Sequence, residues 1–353
     1  MEFAKILRWG VVSVTVVIVN WNGKKFIAEC LDGLRKQTYK DHSIVLVDNA
    51  SDDGSLELVH RKYPEVKTIP LAENLGFAVA NNLAIQSIGT EYVALLNNDA
   101  VPHPGWLENL LKALEKHPEA GFSASKMLLY DRPDLIDRAG DIYTTAATAL
   151  LNGRGEPSKN FNKPAWVFGA CAGAAIYRKR MLEDIGLFDE DFFLLYEDVD
   201  LSFRAQLQGH RCIYVPDAIV YHKASGSIGD DSPISVYYSH RNLEWVYIHN
   251  MPGKLIKKTI LNHLIYNIAA FLFFIARGRG ADFIRAKWHA LKGLKRVLAK
   301  RRHIQKNRTV TDDYIWSLFE KERLLPRLAR RISKNSRSDF KTPSNPPAAD
   351  FWT

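Results

Sequence analysis

The first 117 residues alternate short apolar runs with amphipathic stretches, and that alternation leaves few folds open. Residues 11–19 are apolar throughout and rich in valine, the pattern of a strand covered on both faces. Residues 25–37 place Phe26, Ile27, Cys30, Leu31 and Leu34 at helical spacing. Residues 43–47 are a second apolar run, ending at Asp48. Residues 55–63 read as a helix with Ser51 or Asp52 near its start, and 67–69 as a short strand. A helix over 77–87 leads to a central strand, 92–96, which ends in Asn97-Asn98-Asp99. Residues 106–117 read as a helix behind Pro104 and Gly105. The order β-α-β-α-β-α-β predicts an α/β fold with a mostly parallel sheet flanked by helices. Ligands in such folds bind beyond the carboxyl ends of the strands, where Asp48 and Asp99 stand. No GxGxxG follows the first strand and no GxxxxGK[ST] occurs, which argues against a dinucleotide oxidoreductase and a P-loop enzyme.

A second feature narrows the chemistry. Residues 186–204 read GLFDEDFFLLYEDVDLSFR, with Asp189, Glu190, Asp191, Glu197, Asp198 and Asp200 set among Phe192, Phe193, Leu194, Leu195 and Tyr196. Carboxylates beside aromatics are costly to bury unless paired, metal-bound or catalytic. Asp200 and Arg204 lie four apart on the helix that follows, with the spacing of an ion pair. Between the two halves, residues 131–164 are polar and rich in Gly, Pro and Asn, and read as a long loop or hairpin excursion over the site. A late strand is expected over 211–215.

Charge is distributed unevenly. Residues 1–253 carry 25 Lys and Arg against 32 Asp and Glu, a net −7; residues 254–353 carry 23 against 7, a net +16. A basic tail of this kind suits an anionic membrane surface or nucleic acid. Residues 260–276 are the most hydrophobic stretch, shorter than the ~20 residues a spanning helix needs. Residues 283–302 read as one basic amphipathic helix carrying Trp288, suited to the membrane interface. The apolar run and the interleaved Phe and Trp favour the membrane over nucleic acid. Residues 333–353, rich in Pro, Ser and Asn, read as disordered. The three cysteines, Cys30, Cys171 and Cys212, form no CxxC and suit a reducing compartment.

Several segments in order resemble glycosyltransferase family 2 and its bacterial rhamnosyltransferase-like branch, which builds surface polysaccharides. They are VTVVIVNWNG (14–23), VDNASDDGS (47–55), ENLGFAVANN (73–82), LLNNDA (95–100), GACAGAAIYRK (169–179), the acidic run, YHKASGS (221–227) and YYSHRN (237–242). The resemblance implies a GT-A fold, Rossmann-like, over 11–250. A basic amphipathic helical extension at 251–332 and a tail at 333–353 would follow. It also implies a nucleotide-diphosphate sugar donor, Mg²⁺ or Mn²⁺, and inversion at the anomeric carbon.

On that resemblance, Asp48 would accept a hydrogen bond from the pyrimidine N3–H. Val19, Asn20, Asn74, Gly76 and Phe77 would shape the nucleoside pocket, with Asp52 or Asp53 either holding the nucleotide or serving the turn. Asp99 ends the family's Asp-x-Asp metal motif, whose first acid is here Asn97; Asn97 and Asn98 would face ribose or a metal-bound water. His222 would complete the metal shell or be structural. Lys223, Ser225, Ser227 and Arg241 would reach the diphosphate. Asp198 would be the general base, its plainer role being to cap a helix starting near Val199. Trp166, Phe168 and Trp245 would stack on sugar or fill core. The implied partners are a dTDP- or UDP-sugar, a lipid-linked glycan acceptor and an anionic membrane surface, with no nucleic acid. A homo-oligomer remains open. The implied location is peripheral, on the cytoplasmic face of the inner or plasma membrane. The alternatives are a UDP-hexose donor on the same fold, or a non-catalytic membrane- or nucleic-acid-binding protein using the basic tail.

Overall fold

Apolar strands need cover on both faces, and the sheet of this protein has it. A computed structural model describes residues 13–223 and 232–321. The first half runs β1 (Val14–Asn20), α1 (Ile27–Arg35), β2 (His42–Asp48), α2 (Ser55–Lys62), β3 (Lys67–Pro70), α3 (Gly76–Ser87), β4 (Tyr92–Leu96), β5 (Ala100–Pro102) and α4 (Trp106–Lys116). The middle runs β6 (Ala120–Leu129), β7 (Arg132–Ala139), β8 (Asp141–Thr144), β9 (Ala149–Leu151), β10 (Ala165–Val167), β11 (Ala174–Arg178), α5 (Lys179–Ile185), α6 (Glu197–Leu207) and β12 (Arg211–His222). Then come α7 (Pro233–Asn250), α8 (Gly253–Ala276), α9 (Gly280–Lys292), α10 (Leu294–Lys306), α11 (Asp312–Ser317) and β13 (Phe319–Glu320).

The main sheet has the order β10-β12-β6-β11-β4-β1-β2-β3. β3, β2, β1 and β4 are mutually parallel; β11 runs antiparallel between β4 and β6; β6 and β12 are parallel again. Side chains alternate across the strands. Val14, Val16 and Ile18 of β1 join a cluster with Ile27, Leu31, Leu34 and Trp106, whereas Val17 joins Ala78, Ala84, Ile85 and Leu201 on the other face. Each fully buried aliphatic side chain contributes about 1.5–3 kcal/mol, so the two layers clamp the strand ends firmly. A third cluster joins Phe168, Phe192, Val199 and Phe203 to Trp245, Ala290, Val297 and Phe319. The helices beyond residue 250 therefore share a core with the acidic run.

Three segments differ from expectation, and a fourth, 131–164, takes the hairpin form of its two expected alternatives: β7 pairs antiparallel with β6, β8 with β9, and β13 joins the latter pair in a small second sheet. Their short strands carry too little apolar periodicity to announce themselves. The late strand extends from 215 to His222 across an irregularity at residues 216–218. The predicted helix 283–302 is two helices broken at Gly293, where a Cβ would lie 2.8 Å from Trp245 Cζ2. The apolar run 260–276 lies within the 24-residue helix α8, which is long and apolar enough to cross a membrane by length and composition. Ser225, Ser227 and the 333–353 tail lie outside the described residues.

Candidate active site

Three parallel strands end side by side, and polar side chains tie their ends together. Asn20 and Asp48 are register partners at the ends of β1 and β2. Asn20 Nδ2 donates to Asp48 Oδ1 (3.0 Å) and to Ser55 Oγ (2.9 Å), while Asn20 Oδ1 accepts from Asn98 Nδ2 (2.9 Å). Both Asn20 and Asp48 are buried. Gly23 makes this possible, because a Cβ there would stand 2.2 Å from both Asn20 Oδ1 and Asn98 Nδ2. Ser51 N–H donates to Asp48 Oδ2 (3.0 Å). Val19, the residue before Asn20, is partly buried among the apolar residues beneath this rim.

Beside this knot, Asn49 Nδ2 donates to Asn74 Oδ1 (2.8 Å), which also accepts from Gly76 N (3.0 Å). Gly76 has φ 83° and touches Phe193 so closely that a Cβ would lie 2.6 Å from its carbonyl oxygen. Phe77 N–H donates to that same oxygen (2.9 Å). Asn20, Asp48, Asn74, Gly76 and Phe77, the residues expected at the nucleoside, thus form one contiguous rim, and it abuts the acidic run. Asp53 accepts from Lys24 N and Ser55 N, which is turn chemistry, and neither Ser51 nor Asp52 caps α2: the cap position is Gly54, in the left-handed region. Asp52 is exposed.

A second cluster forms where β12 ends. His222 is the register partner of Ala100 in β5, which sets its ring beside Asp99. His222 Nε2 lies 3.3 Å from Asp99 Oδ1, and Nδ1 donates to Asp137 Oδ2 at 2.9 Å. Asp137, on β7, is in turn held by Arg154 at 2.6 Å. Burial opposes a charge on His222, but hydrogen bonds to Asp137 and Asp99 outweigh it and raise its pKa to about 9. Asn97 donates its N–H to Gly173 O, and its side chain packs against Gly173. Lys223 pairs with Glu29 at 2.7 Å.

A hard carboxylate and an imidazole fit a divalent cation such as Mg²⁺ or Mn²⁺. Asp137 on the far ring nitrogen is the usual support for a metal-binding histidine. Among the described residues no group of three or more His, Cys, Asp or Glu side chains could hold a metal alone. Asp99 and His222 would therefore share the ion with diphosphate oxygens and water.

The third cluster surrounds Asp198. It lies in the first turn of α6, whose N-terminal cap position is Tyr196, and its carboxylate still takes one first-turn N–H, that of Val199. Asp198 Oδ2 lies 3.5 Å from Arg138 Nη1 and accepts from Ala172 N (3.3 Å); Oδ1 accepts from Val199 N (2.8 Å). Arg138 also reaches Asp141 at 3.4 Å. Burial pushes the Glu197 and Asp141 carboxyls up, and in both the charge of Asp198 adds to the rise. Three carboxyls, of Glu197, Asp198 and Asp141, thus gather around one buried guanidinium. The chain reaches it through two consecutive left-handed residues, Leu195 and Tyr196 (φ 65° and 70°). Asn242, wholly buried on α7, donates to Leu194 O (2.8 Å) and Leu195 O (2.7 Å) and holds that turn. Arg204 anchors the other end of the run, pairing with Asp200 at 2.7 Å and donating to the carbonyls of Ile185, Gly186 and Leu187.

Arg241 does not join the Asp99–His222 cluster through any direct bond. Its Nη2 donates to Asp191 O (3.0 Å) and its guanidinium lies over Trp245 and Tyr238. Trp245 and Phe168 are core, whereas Trp166 is partly exposed under Arg211.

Comparison with known proteins agrees with this geometry. Residues 15–186 match the family described as Glycosyl transferase family 2. The chain carries a glycosyltransferase family 2 domain. It is 28% identical over 268 residues to N-acetylglucosaminyl-diphospho-decaprenol L-rhamnosyltransferase of Mycobacterium tuberculosis, covering 66% of this chain and 83% of that protein. It is 20% identical to poly-beta-1,6-N-acetyl-D-glucosamine synthase of Staphylococcus aureus, covering 61% of this chain and 51% of that one. In fold it is similar to S. aureus TarS 1–349 in complex with UDP-GlcNAc (TM-score 0.56, 19% identity, 83% and 88% of the two chains). A mannosyltransferase of Pyrobaculum calidifontis with GDP-Man and Mn²⁺ is also similar (TM-score 0.52, 19% identity, 82% and 84%). The fold is GT-A, and the chain is a glycosyltransferase.

Five residues of the site escape sequence reasoning: Asp137, Arg138, Asp141, Arg154 and Asn242. The first four lie in the segment read as a loop; its repeated acids, Asp134, Asp137 and Asp141 around Leu135 and Ile136, were the available signal. Asn242 stood inside the YYSHRN motif, overshadowed by its neighbour Arg241.

Proposed function

We propose that this glycosyltransferase is inverting and uses Mg²⁺ or Mn²⁺. On this reading it moves a sugar, with rhamnose from a dTDP donor the leading candidate, onto a lipid-linked acceptor at the cytoplasmic membrane face. The observation that carries the reading is Asp198: an acid in the first turn of α6, fixed by Arg138 and the Ala172 N–H, beside carboxyls that burial pushes toward neutrality. Asp198 takes the proton of the acceptor hydroxyl as that oxygen bonds to the anomeric carbon. The bond from that carbon to the diphosphate breaks, and the departing nucleoside diphosphate keeps the electron pair. Asp48 and the Asn20–Asn98 knot hold the nucleoside end of the donor. A bound cation, held by Asp99 and His222, would supply positive charge to the diphosphate.

The acceptor and the rhamnosyl group are suggested by the name of the mycobacterial relative. A UDP-hexose donor is the second reading, because the TarS structure similar in fold carries UDP-GlcNAc. Membrane attachment draws support from α8, where Leu261, Leu264, Ile265, Ile268, Leu272 and Ile275 form an exposed apolar stripe. On α9, Ile284, Trp288 and Leu291 continue it. The proposed division is 11–250 for transfer and 251–332 for membrane contact.

The test is nucleoside diphosphate release from dTDP-, UDP- and GDP-sugars with a membrane extract as acceptor source. Release from one donor should need the cation, stop with EDTA, and fall about 10²–10⁴-fold in Asp198→Asn, the range of a lost general base. Full activity in Asp198→Asn would remove the residue from the mechanism.

A further inference from the structure

Between α7, α9 and α10 lies a cavity of about 720 Å³, lined among others by Tyr237, Arg241, Trp245, His289, Lys295 and Arg296. Lys292 also lines it, and no carboxylate does. Two guanidinium groups face one indole: Arg241 at 4.2 Å and Arg296 at 5.5 Å from the Trp245 ring. Arg296 pairs with Asp191 at 2.7 Å, which also takes Lys300, so that carboxylate is shared between two cations. Lys292 and Lys295 are exposed and have no carboxylate partner among the described residues. Burial first, and then the cations Arg285, Lys292 and Arg241, push the His289 pKa down.

The position of the cavity matters as much as its charge. The loop 191–195 separates it from the nucleoside rim. Phe193 touches Gly76 on one side, while the Asp191, Leu194 and Leu195 carbonyls are held by Arg241 and Asn242 on the other. The opposite wall is α9, whose outward residues Ile284, Trp288 and Leu291 are 56%, 57% and 62% exposed. Lys292 sits over Trp288 at 5.6 Å, linking the basic lining to that apolar stripe. A ligand there must be anionic where it meets the cavity and apolar where it leaves over α9. It would also stand next to the loop that carries Asp198.

We propose that this cavity binds the diphosphate of the membrane-anchored acceptor, with the lipid chain leaving along α9. The inference rests on the lipid-linked acceptor proposed above. Guanidinium groups match diphosphate oxygens by paired N–H donors, and lysines at the rim add point charges. The donor's own diphosphate is assigned elsewhere, to Asp99 and His222.

The experiment uses the full chain and phosphatidylcholine vesicles carrying a polyprenyl diphosphate, the matching polyprenyl alcohol, or phosphatidylglycerol at equal surface charge. Binding is read by flotation, with inorganic pyrophosphate as competitor. Diphosphate vesicles should bind at least about tenfold more tightly than the phosphatidylglycerol ones, and pyrophosphate should displace the protein. Lys292→Gln with Lys295→Gln should lose about thirtyfold on the diphosphate vesicles, the worth of two surface cations, with donor affinity unchanged. Lys36→Gln with Lys40→Gln, an equal charge loss on the exposed body, should stay within about threefold. Equal binding to the two anionic vesicles, wild-type binding by the first double variant, or equal loss in the second would each overturn the proposal. Donor affinity is titrated separately in solution. Intact donor binding with no diphosphate preference sinks this inference and leaves glycosyl transfer standing; no binding of any donor sinks the reading beneath it, and the inference with it.

Discussion

Asn242→Ala isolates a residue that touches neither donor nor acceptor in this scheme yet should control the rate. Its amide donates to the Leu194 and Leu195 carbonyls at 2.8 and 2.7 Å, and its oxygen accepts from Arg241 Nε at 2.8 Å. Losing the two carbonyl bonds costs about 1 kcal/mol each. Those bonds also restrain two non-glycine residues in the left-handed region, each strained by about 1–2 kcal/mol. Without the amide, the strained turn loses those two bonds against its relaxed alternatives, a shift of roughly 2 kcal/mol. That leaves the Asp198-competent arrangement populated up to about 30-fold less. The assay is kcat and donor KM from nucleoside diphosphate release, with donor affinity measured by titration. We expect kcat to fall about 30-fold and donor affinity to change less than threefold. Adding Leu195→Gly to Asn242→Ala removes one strained position, since glycine adopts positive φ freely, and should recover about fivefold. A variant that keeps kcat within threefold of wild type, or that gains nothing from glycine, refutes the argument that strain at 195–196 is held by Asn242.

Three further outcomes are expected. Gly23→Ala drives a methyl into the Asn20–Asn98 pair and should weaken donor binding at least tenfold in calorimetry while the strands stay folded by circular dichroism. Asp137→Asn keeps the shape beside His222 but removes the charge on the far ring nitrogen; the affinity for Mn²⁺ in the presence of nucleoside diphosphate should fall 10–100-fold, read by electron paramagnetic resonance. Glu244 is pushed up by burial, but His263 and Lys287 outweigh this and lower its pKa to about 2. Its contribution is therefore present above pH ~4.5 and lost as pH falls toward 2. Lys287 is itself pushed down by burial, so desolvation of the cation offsets part of the gain, and about 1–2 kcal/mol remains. Glu244→Gln should flatten the decline of the thermal midpoint between pH 4.5 and 2; an unchanged decline would show that other carboxylates dominate there.

How much of this was legible in the sequence follows from where the information is stored. The parallel half was readable because each strand is a continuous apolar run and each helix repeats near every 3.6 residues: the strand 92–96 matches β4 to the residue, β2 is one residue longer at each end than expected, and α3 one residue longer at its start. Asp48 and Asp99 were proposed for the same reason, since a polar residue closing an apolar strand stands out, and the structure sets Asn20 and Asn98 in the bonded knot beside Asp48. Asp137 and Arg138 were hidden because β7 is mostly polar and opens on Arg132-Pro133-Asp134, so it lacks a strand's apolar alternation and takes its form from pairing with β6. Asp198 was proposed from its motif, but its setting was not legible: the aromatics before it were its visible neighbours, whereas its bonded partners are Arg138 from β7 and the Ala172 N–H. The break at Gly293 was invisible for a similar reason, because only contact with Trp245, 48 positions earlier, makes glycine necessary there. Local periodicity thus specifies the sheet whose ends carry the proposed donor rim. The groups that fix Asp198 come from β7, the turn before β11, and α7, segments distant in sequence, so the rate should be most sensitive at Asn242 and Arg138, residues that no local pattern distinguishes.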